Sequence, residues 1–173
     1  MSDAKESVRK FLSGEGVDHL GRSRDSILAW SNDALEYTHD YIQWLFPIET
    51  VSQFHQLAPA PTVEEFKELR RDSMVRIGLL SGFVRILQFY GLEWHDQIVT
   101  KSHNWNERSE EWAWRPGHND LRITRILHSL TLFGFDAEAN AFLTTLNAIM
   151  AERPQNDKRL ASFEYWRNAV IAV

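Results

Sequence analysis

The 173-residue sequence predicts an all-α fold, a compact irregular bundle of about seven helices around a central buried helix. Three observations carry that prediction. Glycine and proline are sparse, at 8 and 5 residues, and most of them stand between apolar-periodic segments, where they punctuate helices. The segments repeat at helical spacing, and no alternating strand pattern interrupts them. Ser, Thr, Asp or Asn stands near the start of most of them, where a helix needs a side chain to accept from its first free N–H groups. At this length a single domain over residues 1–173 is expected, and 43% hydrophobic content suffices for its core.

Taken in order, a first helix is expected over residues 4–12, closed by Gly14 and Gly16, and a second over 24–30 with Ser23 as N-cap. Residues 33–46 read as one longer helix, because Asp33 and Glu36 have capping-box spacing and Pro47 cannot continue it. Its buried side would be Leu35, Thr38, Ile42, Leu45 and Phe46, with Glu36, His39 and Gln43 aligned as a polar stripe. Residues 47–61 are aperiodic and proline-punctuated, hence loop. Thr62 and Glu65 form a second capping box, opening a helix to about residue 71 that ends in a solvated Arg70 and Arg71. Residues 74–90 are apolar around most of the wheel, with a thin polar strip of Ser81, Arg85 and Gln88, which predicts the central buried helix. Gly78 and Gly82, one turn apart on it, are expected to admit a neighbouring backbone, and Gly91 is its C-cap. Residues 92–118 crowd Trp94, Trp105, Trp112 and Trp114 among charges and predict a structured loop or short helices. Asn119 then caps a helix to 133 that Gly134 ends, and Asp136 caps another to about 152 that Pro154 breaks. A last helix covers about 157–172.

Composition excludes several classes of function. With 24 acidic and 19 basic side chains the net charge is −5, so no basic field gathers nucleic acid, and none is expected as partner. The absence of cysteine removes disulfides, thiolate catalysis and the common structural zinc sites. Residues 1–10 contain no apolar signal segment, and the apolar run 77–84 is far shorter than the ~20 residues of a membrane span. A cytoplasmic chain without a transmembrane segment is therefore expected, with any membrane contact peripheral.

Chemistry-bearing constellations are few. Glu36 and His39 have the Glu-x-x-His spacing of helical di-iron sites, but no second copy follows, so no metal is expected. Gly14 and Gly16 precede no strand and no Gly-Lys-Ser/Thr sequence is present, so no nucleotide or other cofactor is expected. Ser81 and Ser129 lack the glycine pattern of a nucleophile elbow, which leaves no catalytic residue assigned and leans against an enzyme. Arg122, Arg125 and Ser129 form a ridge beside the apolar face of Ile123, Ile126, Leu127, Leu130 and Phe133. Two readings fit it: structural pairing with a carboxylate of a neighbouring helix, or a receptor for a carboxylate or phosphate. Trp30, Trp44 and Trp166 read as core. Among Trp105, Trp112 and Trp114, one or two read as exposed anchors for a partner.

Two stretches are more specific than composition, HDYIQWLFP at residues 39–47 and HNDLRITRILHSL at 118–130. Together with GRSRDSILAW at 21–30, ALEYTHDY at 34–41 and FYGL at 89–92, they resemble the conserved region of the opioid growth factor receptor family over about residues 11–152. The resemblance implies a receptor-like domain that binds a peptide, and it brings no established active-site residues. The receptor that names the family binds an enkephalin-type peptide and carries a repeat-bearing low-complexity tail. The present chain is expected to be a short member without that tail.

The favoured reading is thus a receptor-like module holding a peptide or protein segment. Its candidate contacts are Glu36, His39, Asp40 and Gln43 from the first motif, and Trp105, Trp112, Trp114, His118, Asn119, Arg122 and Arg125 from the tryptophan-rich stretch and the second. The alternative is an enzyme of unrecognised type, with Glu36 and His39 as acid and base and Arg122 and Arg125 as an anion clamp.

Overall fold

Each of the short helices in this chain leaves carbonyls at its C-terminus without an intrahelical partner, and the fold is organised around satisfying them. In a computed structural model, residues 3–114, 117–152 and 160–171 are described. Among them ten helices run in the order α1 (Asp3–Ser13), α2 (Arg24–Leu28), α3 (Asn32–Tyr37), α4 (Ile42–Leu45), α5 (Val63–Leu69), α6 (Ser73–Tyr90), α7 (Trp105–Trp112), α8 (His118–Leu132), α9 (Asp136–Ala151) and α10 (Leu160–Ile171). Strands β1 (Leu92–His95) and β2 (Ile98–Lys101) form a hairpin between α6 and α7. The chain is mostly helical, as its sequence predicts, but not all-α. The expected break at Pro154 and the expected helix start at 157 lie outside the described residues.

Contacts divide the chain into two units, Met1–Arg85 with Leu132–Gly134, and Ile86–Thr131 with Phe135–Val173. In the first, α1 packs on α4 and α5. Phe11 meets Trp44 edge-on with centroids 5.3 Å apart, and Phe66 meets Phe133 at 5.1 Å. In the second, α9 packs on β2 and on α10, and Thr145 Oγ1 donates to the Val99 carbonyl at 2.5 Å.

The capping signals Ser23 and Thr62 act as read. Ser23 Oγ accepts from Ser26 N, and Thr62 with Glu65 closes a reciprocal capping box. The helix expected over 33–46 is instead broken. Ser31, not Asp33, caps α3, and Thr38 turns extended at φ −96° and ψ 130°. The Tyr41 hydroxyl donates to the Leu35 carbonyl at 3.1 Å, and the buried Gln43 amide, turned so that its nitrogen donates, bonds the carbonyls of His39 and Asp40 at 3.2 Å. Side-chain bonds thus replace the main-chain helical ones across the bend. Similarly, α8 begins at His118 with Asn119 inside its first turn, and Asp136 lies inside α9 rather than capping it.

The hairpin is the departure from an all-α reading. Its register pairs Leu92 with Lys101 and His95 with Ile98, and the two-residue turn holds Asp96 and Gln97 at φ 48° and 64°. Both central residues being left-handed is the geometry that matches strand twist, usually supplied by Asn-Gly. Four-residue strands around a turn without glycine leave no alternation to read.

Helix α6 buries Val75, Leu79, Phe83, Ile86, Leu87, Phe89 and Tyr90, yet Met74, Ile77 and Val84 are exposed, so it is not buried around its circumference. Its two glycines also differ. A methyl group on Gly78 would overlap the Leu12 carbonyl and the Arg24 guanidinium, whereas one on Gly82 would rest at 3.6–3.9 Å from Phe46 and Leu45 side chains, an ordinary contact. Gly78→Ala is therefore expected to cost about 2 kcal/mol or more by overpacking a backbone that cannot yield. Gly82→Ala is expected to fall within about 1 kcal/mol of wild type, because helix propensity favours alanine. Equal chemical denaturation midpoints for the two variants would contradict this.

Candidate functional site

The sequence-selected residues divide between the two units. Glu36, His39, Asp40 and Gln43 belong to the first, and Trp105, Trp112, Trp114, His118, Asn119, Arg122 and Arg125 to the second. Glu36 lies in the last turn of α3 while His39 lies in the bend after it, so the single helix that would aim both at one metal does not form.

In the first unit the ordered chemistry centres on Asp40 and on residues that sequence reasoning passed over. Arg22 Nε donates to Asp18 Oδ2 at 2.6 Å, and its Nη1 donates to Asp40 Oδ1 at 2.9 Å. Its guanidinium also lies over the Trp30 ring, 5.4 Å from the centroid, and Trp30, read as core, is only partly buried. The Trp44 indole donates to His19 Nδ1 at 3.1 Å, and His19 Nε2 lies 3.5 Å from Asp40 Oδ2. Both ring nitrogens of His19 are thereby engaged, one by Trp44 and the other by Asp40, so His19 helps to orient Asp40. Burial works to raise the Asp40 pKa, but the Arg22 hydrogen bond and charge, helped by His19, bring it below the usual carboxylate range. Two carboxylates on one arginine form a brace between the 18–22 loop and the bend at 38–41.

In the second unit an exposed ring connects to a buried polar network. Trp114 is 41% exposed and stands edge-on to Trp105, with centroids 6.4 Å apart. Trp105, 8% exposed, meets Trp112 at 6.0 Å and carries the Lys101 ammonium 4.8 Å from its centroid. The buried Trp112 packs on Tyr90 at 4.7 Å and donates its indole N–H to the Tyr90 carbonyl. The Tyr90 hydroxyl donates to Asn119 Oδ1 at 3.2 Å, where Arg122 Nη1 also donates at 3.3 Å. Gly91 permits this assembly: at φ 76° it lets the chain turn, and a Cβ there would stand 2.9 Å from the Arg108 Cβ and 3.0 Å from the Trp105 Cα.

Of the selected residues, then, Trp105, Trp112, Trp114, Asn119 and Arg122 form one connected set. Arg122 is 5% exposed, Arg125 half-buried and His118 exposed. Missed members are Tyr90, Arg108, which bonds the Phe89 carbonyl and stacks on its ring, and Asp120, which accepts from Ser162 Oγ and from the Trp166 indole. Tyr90 lay within the FYGL stretch already singled out.

Most of this sequence also matches known proteins. The family profile described as the opioid growth factor receptor (OGFr) conserved region matches residues 24–172. The chain belongs to the opioid growth factor receptor family. It is 31% identical over 154 residues to the opioid growth factor receptor of Homo sapiens, covering 84% of this chain and 22% of that protein. It is 35% identical over 114 residues to the opioid growth factor receptor-like protein 1 of Mus musculus, covering 62% and 24%. The chain therefore spans about a quarter of the length of these receptor-family relatives. The family match reaches past the 11–152 read from motifs to include α10, which contributes Ser162 and Trp166 to the Asp120 contacts. No solved structure matches the chain. Among the described residues no helix is long and apolar enough to cross a membrane.

The Asp40 brace makes a testable contribution to stability in this receptor-family domain. A carboxylate with a depressed folded-state pKa adds stability above its unfolded value near 4, and that stability is lost as pH falls through the folded value. Asp40→Asn is expected to cost about 1–2 kcal/mol at pH 7. The deficit should shrink as both proteins are titrated into the acid range, read by urea unfolding at each pH, and a deficit independent of pH would contradict the brace.

Proposed function

We propose that this opioid growth factor receptor-family domain is a binding module for a peptide or protein segment, and that the ligand docks at the Trp114 end of the second unit. One observation carries the reading. Trp114 is a large ring left 41% exposed while its neighbours Trp105 and Trp112 are buried as an edge-to-face aromatic cluster. A partly exposed tryptophan packed against a buried aromatic cluster is the kind of residue that dominates binding at protein surfaces, because it loses little conformational freedom on contact. Glu107, Glu110 and Glu111 are exposed on the same short helix, so a segment bearing a positive charge suits the surface.

Within this reading His118 and Arg125, on the accessible part of α8, supply polar contacts. Trp105, Trp112, Asn119 and Arg122 hold the anchor from below. In the first motif, which belongs to the first unit, Asp40 and Gln43 serve the brace and the bend, and this reading assigns no ligand contact to Glu36 or His39. The name of the human relative suggests the first probe, an opioid growth factor peptide.

Calorimetric titration with that peptide is expected to show saturable binding, and Trp114→Ala is expected to weaken it at least tenfold with an unchanged unfolding midpoint. No binding into the millimolar range, or unchanged affinity in Trp114→Ala, would overturn the proposal.

A further inference from the structure

Lys101, the last residue of β2, lays its side chain over Trp105. Its ammonium stands 4.8 Å from the centroid of that ring and donates to Glu152 Oε1 at 2.6 Å. Among the described residues it is the one cation in ion-pair reach of Glu152. Three features meet where that ammonium lies, and each favours a positive charge. Trp105 offers the negative face of an indole, and Glu152 a carboxylate. Glu152 is also the C-cap of α9, so its carboxylate adds to the negative end of a 16-residue helix, an unfavourable place for an acid until a cation answers it.

The seat does not depend on the lysine that fills it. Trp105 is fixed by its main-chain bond to the Ser102 carbonyl at 3.1 Å and by its edge-on contact with Trp112. Glu152 is carried by α9, which the Thr145 hydroxyl fastens to the Val99 carbonyl of β2. The aromatic face and the carboxylate are therefore preorganised. Lys101 itself is held weakly, because the two side chains of the pair are 35% and 48% exposed, and ion pairs so open to water contribute little.

We propose that Lys101 is an internal stand-in, and that its seat on Trp105 and Glu152 takes an ammonium group of the bound segment in exchange for it. The inference rests on the reading of Trp114 as the docking anchor. Trp114 stands edge-on to Trp105 with centroids 6.4 Å apart, so a segment that packs on the first brings a charge to the second within about two residues. The exposed Glu107, Glu110 and Glu111 draw cationic segments towards this surface without fixing them. The seat gives the charge a defined place and so narrows the ligand class, to a peptide with a free ammonium, an amino terminus or a lysine, next to the residue that contacts Trp114.

Two measurements test this. The first needs no peptide. In Lys101→Ala, n-propylammonium, the portion of the lysine removed, is expected to shift the Trp105 indole N–H resonance saturably below about 100 mM, and to lose that effect when Glu152→Gln is added. The second is calorimetric titration with the opioid growth factor peptide. Lys101→Ala is expected to bind it about threefold or more tightly than the wild-type chain, because the internal competitor is gone, and Glu152→Gln is expected to cancel the gain. Acetylating the amino terminus of the peptide, or its lysines, identifies the ammonium by which of the two abolishes the gain. Absence of a saturable n-propylammonium shift overturns the seat even where the peptide binds. Unchanged or weaker peptide binding in Lys101→Ala, with wild-type binding intact, overturns the exchange. An n-propylammonium shift with no peptide binding to either chain upholds the seat for ammonium ligands and overturns the docking reading on which the place of the peptide rests.

Discussion

Five arginines each donate to a main-chain carbonyl near the C-terminus of a helix in which they do not lie. Arg24 bonds the Leu12 carbonyl at the end of α1, and Arg85 bonds Leu28 and Trp30 at the end of α2. Arg70 and Arg76 take the carbonyls of Leu132 and Phe133 where α8 ends, and Arg108 takes that of Phe89 in the last turn of α6. A fold assembled from short helices has many such ends, and each offers carbonyls that water would otherwise satisfy. A guanidinium answers that need well: it brings several donors in one plane, and its charge suits the negative end of the helix dipole. Other features of the fold are arranged around these caps. Gly78 lacks a side chain where α6 passes the Leu12 carbonyl and its Arg24 cap, and the Arg108 stem fills the space that Gly91 leaves.

This device also explains what the sequence disclosed and what it hid. Helix starts are written in residue types, because a cap is a side chain, and Ser23 and Thr62 were legible for that reason. Helix ends capped by remote arginines are not, because the acceptor is a carbonyl that every residue possesses. Arg70 read as a solvated helix end, yet it bonds Leu132 at 2.7 Å. The break after Tyr37 was hidden for a related reason: residues 33–46 carry a helical pattern, and the side-chain bonds from Tyr41 and Gln43 that hold the bend again end on main-chain carbonyls. The hairpin at 92–101 was too short for its period to show.

The candidate site was partly legible on the same terms. Large aromatic residues announce themselves, and the tryptophan cluster with Asn119 and Arg122 forms a connected set in the second unit. Sequence could not rank the three tryptophans, since exposure of Trp114 and burial of Trp112 are decided by what packs on each. Tyr90 was missed as the link because its role needs both ends: its ring under Trp112 and its hydroxyl on Asn119. Asp40 was selected as a ligand contact and proved to be half of a two-carboxylate brace on Arg22, a residue of the GRSRDSILAW stretch at 21–30.

The claim on which this account rests is that arginine, and not merely positive charge, closes the helix ends. Arg85 is the sharpest place to ask, since its Nε and Nη2 reach Leu28, Trp30 and the Asn32 side chain from one planar group. The measurement is the urea-unfolding free energy of Arg85→Lys, which keeps the charge and loses the fork. A loss of about 2 kcal/mol or more is predicted from bonds of this kind. A lysine variant that unfolds at the wild-type urea concentration with the wild-type slope would contradict it.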